Sequence, residues 1–213
     1  MTELYNQDYY ENGEATGVSC YENYRWIPEL TIPLAYSFLK GTTLEDKDNI
    51  LDFGCAKGYL VKAFRLLGVN AFGADISEYA VSCADADIRR FVFQVSDANV
   101  SKIVNDNLVN ALMTKDVLEH MPENAIDQLL SSLIDTSVSK MIHVIPLGDS
   151  GKFRIDDYHR DVTHIQIQDE QWWMDKFSQY GWSGRYEYGV PGIKDKWFKK
   201  CTNGDATFIL ERS

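Results

Sequence analysis

The feature that most constrains the fold is an alternation of strand-like and helix-like runs through the middle of the chain. Short apolar runs, several of them rich in β-branched residues, are separated by segments in which apolar residues recur at helical spacing. The predicted strands are NILDF (49–53), VNAFGAD (69–75), RFVFQVSD (90–97), VNALMTKD (109–116) and SKMIHVIPL (139–147). Strands that alternate with helices at this interval form right-handed βαβ units on a parallel sheet. We therefore predict an α/β fold.

The length of 213 residues fits one domain, residues 1–213, with 45% apolar residues to fill a core. We divide it into an N-terminal cover (1–45), a core (46–147), and a last part (148–213) with a substrate-side loop, the final helix and the closing strands. In the cover, residues 25–40 predict a helix with Pro28 in its first turn and a kink or break at Pro33.

The last part changes character after the fifth predicted strand. A polar loop precedes a helix that carries Trp172, Trp173 and Phe177, and these aromatics are expected in the core and its cover. Two further strands, RYEYGV and ATFILE, follow as an antiparallel pair. The basic segment KDKWFKK (194–200) between them is expected to form an exposed turn.

Charge and composition limit the partners and the compartment. The formal net charge of −11 argues against a nucleic-acid partner, since phosphate binding requires clustered Lys and Arg. The four cysteines are scattered, which is typical of free thiols in a reducing compartment. There is no apolar run of about 18 residues and no signal-peptide pattern at the polar N-terminus, so we expect no membrane partner and a soluble, cytoplasmic protein.

The segment ILDFGCAKGYL (50–60) places a glycine-containing turn directly after the first predicted strand. In parallel sheets, ligands bind beyond the carboxyl ends of the strands, and glycine lets the backbone approach them closely. A dinucleotide fingerprint requires G-x-G-x-x-G, but Ala56 and Tyr59 occupy its second and third glycine positions. The phosphate loop G-x-x-x-x-G-K-[ST] is absent as well. These departures argue against NAD and ATP.

An acidic residue ends each of the next three predicted strands. Asp75 follows Gly54 by 21 residues, where a carboxylate can accept both hydroxyls of a ribose. Asp97 ends the third strand and could accept from an adenine amino group, and Asp116 ends the fourth. For any single one of them, a helix cap or a solvated turn is the alternative. Together they predict a nucleoside site along one edge of the sheet.

The stretches DFGCAKG, GADIS, SDA and DVLEH resemble the successive nucleoside-binding motifs of class I S-adenosylmethionine-dependent methyltransferases, over roughly residues 48–147. The resemblance implies a Rossmann-like, seven-stranded, mostly parallel sheet with an antiparallel closing hairpin, and an enzyme that converts S-adenosyl-L-methionine to S-adenosyl-L-homocysteine. The implied cofactor-binding residues are Asp52, Gly54, Cys55, Ala56, Gly58, Asp75, Ile76, Asp97, Ala98, Asp116 and Val117. Ala56 departs from the family, which more often has a third glycine there. Lys57 lies outside the pattern and is expected to be solvated.

The N-terminal run DYYENG…YENYRW resembles a lead-in found in some bacterial small-molecule and sugar methyltransferases. There, an N-terminal segment closes over the cofactor. The resemblance implies Tyr10 as a cofactor contact, with Tyr24 and Arg25 as weaker candidates. Alternatively, these aromatics pack a helix onto the sheet edge.

The loop FRIDDYHRDVTHI, after the fifth strand, carries Asp157, His159, Asp161 and His164. In enzymes of this family the loop often faces the acceptor, and a histidine is suited to remove a hydroxyl proton near neutral pH. Our catalytic candidates are Asp116, His159 and His164, with Asp161 orienting the His164 imidazole.

Two alternatives stay open for this loop. In one, His164 ties the loop to the following helix. In the other, its histidines and aspartates bind a metal, but their spacing matches no metal motif, and we assign no metal ligand. We expect His120 to be a packed or capping residue and His143 to lie in the core.

The sequence thus predicts a methyltransferase that acts on a small polar acceptor, with a sugar or metabolite hydroxyl as the expected group. A non-catalytic protein that binds nucleosides or adenosylmethionine is one alternative, and a NAD-dependent oxidoreductase is a weaker one. A protein or nucleic-acid methyltransferase would need an extended groove or a basic face, and the sequence shows neither.

Overall fold

The structure, a computed structural model, describes residues 2–95 and 100–213. Its strands in these residues are β1 (Asn49–Phe53), β2 (Asn70–Asp75), β3 (Val92–Gln94), β4 (Ala111–Lys115), β5 (Lys140–Pro146), β6 (Gly148–Asp149), β7 (Lys152–Phe153), β8 (Trp182–Glu187) and β9 (Asp205–Arg212). Seven of them form one sheet in the order β3-β2-β1-β4-β5-β9-β8, and β6 and β7 form a small separate hairpin. β1 to β5 pair in parallel, whereas β9 is antiparallel to both β5 and β8. The predicted sheet with its closing hairpin is confirmed.

Helices connect the strands and flank the sheet. The α-helices in the described residues are α1 (Gln7–Glu11), α2 (Gly13–Thr16), α3 (Pro28–Gly41), α4 (Tyr59–Leu66), α5 (Glu78–Ser82), α6 (Val100–Asp106), α7 (Glu123–Ser132), α8 (Glu170–Ser178) and α9 (Asp195–Lys200). Short 3-10 helices lie at Thr2–Leu4, Arg89–Phe91, Leu118–His120 and Asp156–Arg160. No helix among these residues has the length and the apolar content needed to cross a membrane.

The sheet is buried on both faces because successive side chains of its strands point to opposite sides. In β1, Ile50 packs into the cluster that includes Phe38 of α3 and Phe64 of α4. Its neighbour Leu51 packs into the other cluster, which includes Trp173 and other residues of α6, α7 and α8. Near-continuous apolar strands are what a sheet covered by helices on both sides requires, and this explains the patterns from which the strands were predicted.

Two local predictions differ from the structure. The helix α3 begins at Pro28, as predicted, but it continues through Pro33 to Gly41 without a break. The segment 194–200, expected to be an exposed turn, forms the helix α9 preceded by Lys194, whose side chain is only 5% exposed. His143 lies fully buried in β5, and its Nδ1 atom is hydrogen-bonded to the Thr114 hydroxyl at 2.8 Å. This agrees with its predicted core position.

Candidate active site

The strand order reverses at β1, which lies between β2 on one side and β4 on the other. In open α/β sheets such a reversal leaves a crevice at the carboxyl ends of the strands, where ligands bind. The turn Gly54–Gly58 follows β1, and Asp116 follows β4, so both line this end of the sheet. The sheet therefore brings the predicted cofactor residues of β1, β2 and β4 to one edge.

The turn after β1 needs left-handed backbone at three of its residues. Gly54 has φ +84° and Gly58 has φ +77°, where glycine is favoured. A Cβ on Gly54 would lie 2.3 Å from Cγ2 of Val117, so the turn packs directly on the segment after β4. Ala56 also has a positive φ, +51°, at the place where the family more often has glycine. Its small side chain fits, at a cost of about 1–2 kcal/mol in backbone energy.

Asp52 is a buried carboxylate in β1 that has no hydrogen-bond donor within the described part of the chain. Only 4% of its surface is exposed. Burial, together with the nearby Asp75, raises the pKa of Asp52 to about 7. A buried carboxylate without a donor is costly unless a ligand supplies one. The ammonium group of a methionine moiety is a suitable donor, and the residues of β1 therefore fit adenosylmethionine.

Asp75 ends β2 and supports the glycine turn. Its carboxylate accepts from the backbone N–H of Ala56 at 2.7 Å and from that of Ser77 at 2.8 Å. Burial raises the pKa of Asp75, and these backbone hydrogen bonds oppose that rise. Each carboxylate oxygen has a second lone pair, so Asp75 can still accept two ribose hydroxyls.

The remaining predicted cofactor residues have different surroundings. Cys55 is buried with its sulfur packed over Gly73, where an added Cβ would lie 2.6 Å from Sγ, so only the backbone of Cys55 can face a ligand. Ile76 and Val117 are partly buried and pack against the apolar cluster on one face of the sheet. Asp97 and Ala98 lie outside the described residues.

Lys57 is not solvated, contrary to the sequence prediction. It is 7% exposed, and its ammonium group donates to the carboxylate of Glu11 in α1 and to the carbonyl of Tyr24 at 2.8 Å. The Tyr79 hydroxyl donates to the same Glu11 oxygen at 2.9 Å. Lys57 therefore fastens the N-terminal cover to the glycine turn.

A cluster of tyrosines joins the cover to α5. Tyr10 is 4% exposed and stacks on Tyr79, with ring centroids 6.1 Å apart. Burial, together with Asp75, raises the pKa of Tyr10. Tyr24 packs at 5.8 Å from Tyr10, whereas Arg25 is exposed. The structure thus shows Tyr10 in the packing role that was the alternative, with Asp75 close enough to influence its pKa.

Replacing Lys57 with methionine is expected to loosen the cover. Glu11 would lose its cation, and charge-assisted hydrogen bonds of this kind contribute about 1–2 kcal/mol when partly exposed. Amide hydrogen exchange in α1 should therefore become about tenfold faster. Lys62→Met is the matched control, because Lys62 pairs with Asp85, and its contact with the cover is with the Trp26 ring and not with α1. Equal exchange in wild type and Lys57→Met would show that this contact does not hold the cover.

Asp116 lies between two lysines. It adopts a positive φ of +56°, and its carboxylate pairs with Lys115 and, at 2.6 Å, with Lys194 from the segment before α9. Burial alone would raise its pKa, but the two ammonium groups hold the pKa of Asp116 well below its usual range. Lys194 also pairs with Asp205 at 2.5 Å. Asp116 is therefore a firmly held anion at the end of β4.

The loop that carries Asp161 and His164 docks on the segment after β4. The carbonyl of Glu119 accepts from the backbone N–H groups of Ile165 and Gln166, both at 2.9 Å. This contact brings the rings of His120 and His164 to 4.5 Å between centroids. Glu119, His120 and His164 each offer a ligand atom, all within 4.8 Å of one another. Sequence reasoning missed Glu119, since nothing local distinguishes it from an ordinary helical glutamate.

Asp161 does not orient the His164 imidazole, contrary to the sequence hypothesis. Its carboxylate accepts from the Tyr9 hydroxyl at 2.9 Å and from the Thr163 hydroxyl at 2.5 Å. The Nδ1 atom of His164 instead pairs with the carbonyl of Tyr158 at 2.6 Å. Asp161 therefore joins the loop to the cover, and the backbone orients His164.

His159 is not brought to this cluster. It is exposed, and its Nε2 accepts from the backbone N–H of Phe153 at 3.1 Å. His164 lies on Phe153 as well, with ring centroids 5.4 Å apart. Asp157 is also turned away and pairs with Lys200 of α9. These four residues of the loop thus separate into two groups, with Asp161 bonded to the cover and His164 beside His120.

Comparisons with known proteins agree with this geometry. A family model described as a methyltransferase domain matches residues 27–184. A search of curated proteins finds no match. Among solved structures, an S-adenosylmethionine-dependent methyltransferase from Archaeoglobus fulgidus is similar over 87% of this chain and 95% of its own, with 14% identity and a TM-score of 0.65.

Two further solved structures show the same likeness. The magnesium protoporphyrin IX methyltransferase of Synechocystis PCC 6803, with S-adenosylhomocysteine bound, is similar over 87% of this chain and 83% of its own, with 15% identity and a TM-score of 0.60. A putative methyltransferase in complex with the Trm112 activator of Haloferax volcanii is similar over 86% of this chain and 90% of that one, with 12% identity and a TM-score of 0.62. At these identities the structures establish a shared fold.

Proposed function

Since the chain belongs to the class I S-adenosylmethionine-dependent methyltransferases and uses S-adenosylmethionine as its methyl donor, we propose that its acceptor is a hydroxyl group of a small polar molecule, such as a sugar or a related metabolite. The observation that carries the proposal is the cluster of Glu119, His120 and His164, which lies after β4 and under the N-terminal cover. Its two imidazoles are proton-accepting groups at the end of the sheet where the cofactor residues meet.

The cofactor-binding roles follow from the edge of the sheet. We assign the methionine ammonium to Asp52, the ribose hydroxyls to Asp75, and close backbone contact to the turn Gly54–Gly58. Ile76, Asp97, Ala98 and Val117 are assigned to the adenine side and its surroundings, and Tyr10 to the closing face of the cover. When bound, S-adenosylmethionine supplies a methyl carbon made electrophilic by its sulfonium. The protein's part is then to align the acceptor oxygen with that carbon and to exclude water.

A hydroxyl acceptor must lose its proton for the oxygen to attack efficiently. Burial lowers the pKa of His120 to about 4, with His164 beside it acting in the same direction, so His120 is neutral at pH 7. Burial also lowers the pKa of His164. The cluster therefore presents uncharged imidazoles to an acceptor, with Asp116 nearby as a fixed anion. These groups suit the activation of a hydroxyl.

The surroundings of the cluster favour a small acceptor. Tyr5 packs on His120 with ring centroids 6.1 Å apart, and Tyr9 is hydrogen-bonded to Asp161, so the cover closes this side. Asp161 lies in this region and pairs with no cation among the described residues, so its carboxylate would repel a nucleic-acid phosphate. The net charge of −11 also opposes the binding of a nucleic acid.

Transfer of a labelled methyl group from S-adenosylmethionine tests the proposal. The full-length protein is incubated with separate pools of sugars and sugar derivatives, phenolic metabolites, RNA and unrelated proteins. We expect label in a small hydroxyl compound, and His164→Ala should lower that transfer by about 100-fold, as loss of a general base does. Label that appears only in RNA or protein, or wild-type turnover by His164→Ala, would contradict the proposed acceptor or the proposed role of the cluster.

A further inference from the structure

We propose that Glu119, His120 and His164 bind one divalent transition-metal cation, and that this cation contacts the acceptor hydroxyl. The acceptor part of this inference rests on the proposed function, whereas cation binding can be tested without any acceptor. The three residues come from two separate stretches, the 3-10 helix Leu118–His120 and the loop around His164. No local spacing in the sequence indicates such a site.

Glu119 is the first reason to place a cation here. Its side chain is 0% exposed, and among the described residues neither carboxylate oxygen has a hydrogen-bond partner. Burying a carboxylate without a partner costs several kcal/mol. Lys115 and Lys194 lie nearby, but both donate to Asp116 rather than to Glu119. A bound cation would supply the missing charge partner.

Each of the two histidines has a ring nitrogen left for a ligand. In each ring Nδ1 is already engaged, by the Thr163 hydroxyl at 2.7 Å for His120 and by the Tyr158 carbonyl at 2.6 Å for His164. The carbonyl can only accept, so His164 carries its proton on Nδ1 and leaves Nε2 with a lone pair. Metal-binding histidines are typically held in this way, by a carbonyl or another acceptor on the far nitrogen.

A hydrogen-bond chain fixes the tautomer of His120 as well. The Thr163 hydroxyl donates to Asp161 at 2.5 Å, which leaves its oxygen to accept from Nδ1 of His120. Asp161 is in turn held by the Tyr9 hydroxyl of the N-terminal cover. Both Nε2 atoms are therefore free of protons, and the cover takes part in orienting the site.

The ligand set indicates the class of cation. Two imidazoles and one carboxylate suit Mn²⁺, Fe²⁺, Co²⁺ or Zn²⁺, whereas Mg²⁺ and Ca²⁺ prefer oxygen ligands. Such ligand atoms lie about 2.0–2.2 Å from the metal. The ligand atoms of the three residues now lie within 4.8 Å of one another, so the side chains must move closer together when a cation binds.

Three protein ligands leave coordination positions open for an acceptor oxygen. A hydroxyl on the cation has a lowered pKa and releases its proton to water. Its oxygen electron pair then forms the bond to the methyl carbon, and the carbon–sulfur bond breaks to leave the neutral thioether. The cation would thereby perform the proton removal that the cluster was proposed to assist.

Calorimetric titration of the chelator-treated, full-length protein with MnCl₂, ZnCl₂ and MgCl₂ tests the site. We expect one equivalent of Mn²⁺ or Zn²⁺ to bind, with Mg²⁺ binding much more weakly. Glu119→Gln and His164→Ala should each weaken Mn²⁺ binding by at least about 100-fold, because losing a direct ligand costs no less than losing an outer partner of a ligand, which costs about 10–100-fold. His159→Ala and Glu123→Gln are the matched controls. They replace the exposed histidine of the same loop and an exposed glutamate four residues after Glu119.

The outcomes separate this inference from the proposed function. Each variant is also titrated with S-adenosylhomocysteine, which reports on the fold and the cofactor site without the cation. Glu119→Gln should keep its affinity for S-adenosylhomocysteine while losing Mn²⁺. Absence of saturable Mn²⁺ and Zn²⁺ binding to wild type, or equal binding by Glu119→Gln, would overturn the site. If His159→Ala were the only variant to lose Mn²⁺ binding, the metal would be assigned to His159 instead.

Discussion

Replacing Asp75 with alanine is expected to lower the affinity for S-adenosylhomocysteine by about 100-fold. Asp75 is 6% exposed at the end of β2, and its carboxylate is the group assigned to both ribose hydroxyls. Hydrogen bonds to a charged acceptor contribute about 1.5–3 kcal/mol each, and 100-fold corresponds to about 2.7 kcal/mol. Calorimetric titration of wild type and variant measures the difference.

The same substitution removes the acceptor of the Ala56 N–H, so its effect on the fold needs a control. Asp75→Asn keeps one carbonyl oxygen for that N–H and should bind S-adenosylhomocysteine with intermediate affinity. Asp87→Ala, which replaces an exposed aspartate between α5 and β3, should bind as wild type does. If a folded Asp75→Ala bound S-adenosylhomocysteine normally, the ribose would have to be placed elsewhere.

Replacing Asp116 with asparagine is expected to destabilise the protein by about 3 kcal/mol. The asparagine keeps the shape but leaves Lys115 and Lys194 without their shared anion. The Lys194 side chain is 5% exposed and retains Asp205, and the Lys115 side chain is 27% exposed, so the lower end of the range for a broken buried pair applies. Urea unfolding of wild type and variant at pH 7 measures the loss.

The pH dependence of this loss has a definite sign. Because the two lysines lower the pKa of Asp116 in the folded protein, its contribution to stability is fully present above the unfolded value of 3.8. The contribution disappears as the pH falls through the lower, folded value. The difference between wild type and Asp116→Asn should therefore stay constant from pH 7 to about pH 5 and shrink only in stronger acid.

A second substitution identifies the cause. In the Asp116→Asn background, Lys194→Met removes one of the unpaired ammonium groups and should restore part of the lost stability. The double-mutant cycle should give a coupling energy of about 1–3 kcal/mol. Additive losses would mean that Asp116 and Lys194 contribute independently, and that their charge pairing does not account for the effect.

The parts of the fold that depend on local pattern could be predicted from the sequence. NILDF is apolar on both sides because β1 is covered on both faces, and its bounds agree with the predicted strand. The turn at Gly54 and Gly58 required left-handed backbone, which glycine signals directly. The closing antiparallel strands agree with what the family resemblance implied, and Trp173 lies in the core as expected.

The parts that depend on contacts between distant residues could not be predicted in this way. Lys57 looks solvated until Glu11, 46 positions away, is placed beside it, and Lys194 pairs with Asp116 across 78 positions. Glu119 and His164 likewise meet only because the loop docks on a backbone carbonyl after β4. Each of these side chains belongs to a common surface type, and only the tertiary fold gives it a partner.

The crevice at the carboxyl ends of β1, β2 and β4 is expected to bind S-adenosylmethionine and not a dinucleotide. Calorimetric titration of the purified protein with S-adenosylhomocysteine and, separately, with NAD tests it most directly. We expect one binding site of micromolar strength for S-adenosylhomocysteine and no heat of binding for NAD. Binding of NAD without binding of S-adenosylhomocysteine would contradict it and would assign the glycine turn to a dinucleotide.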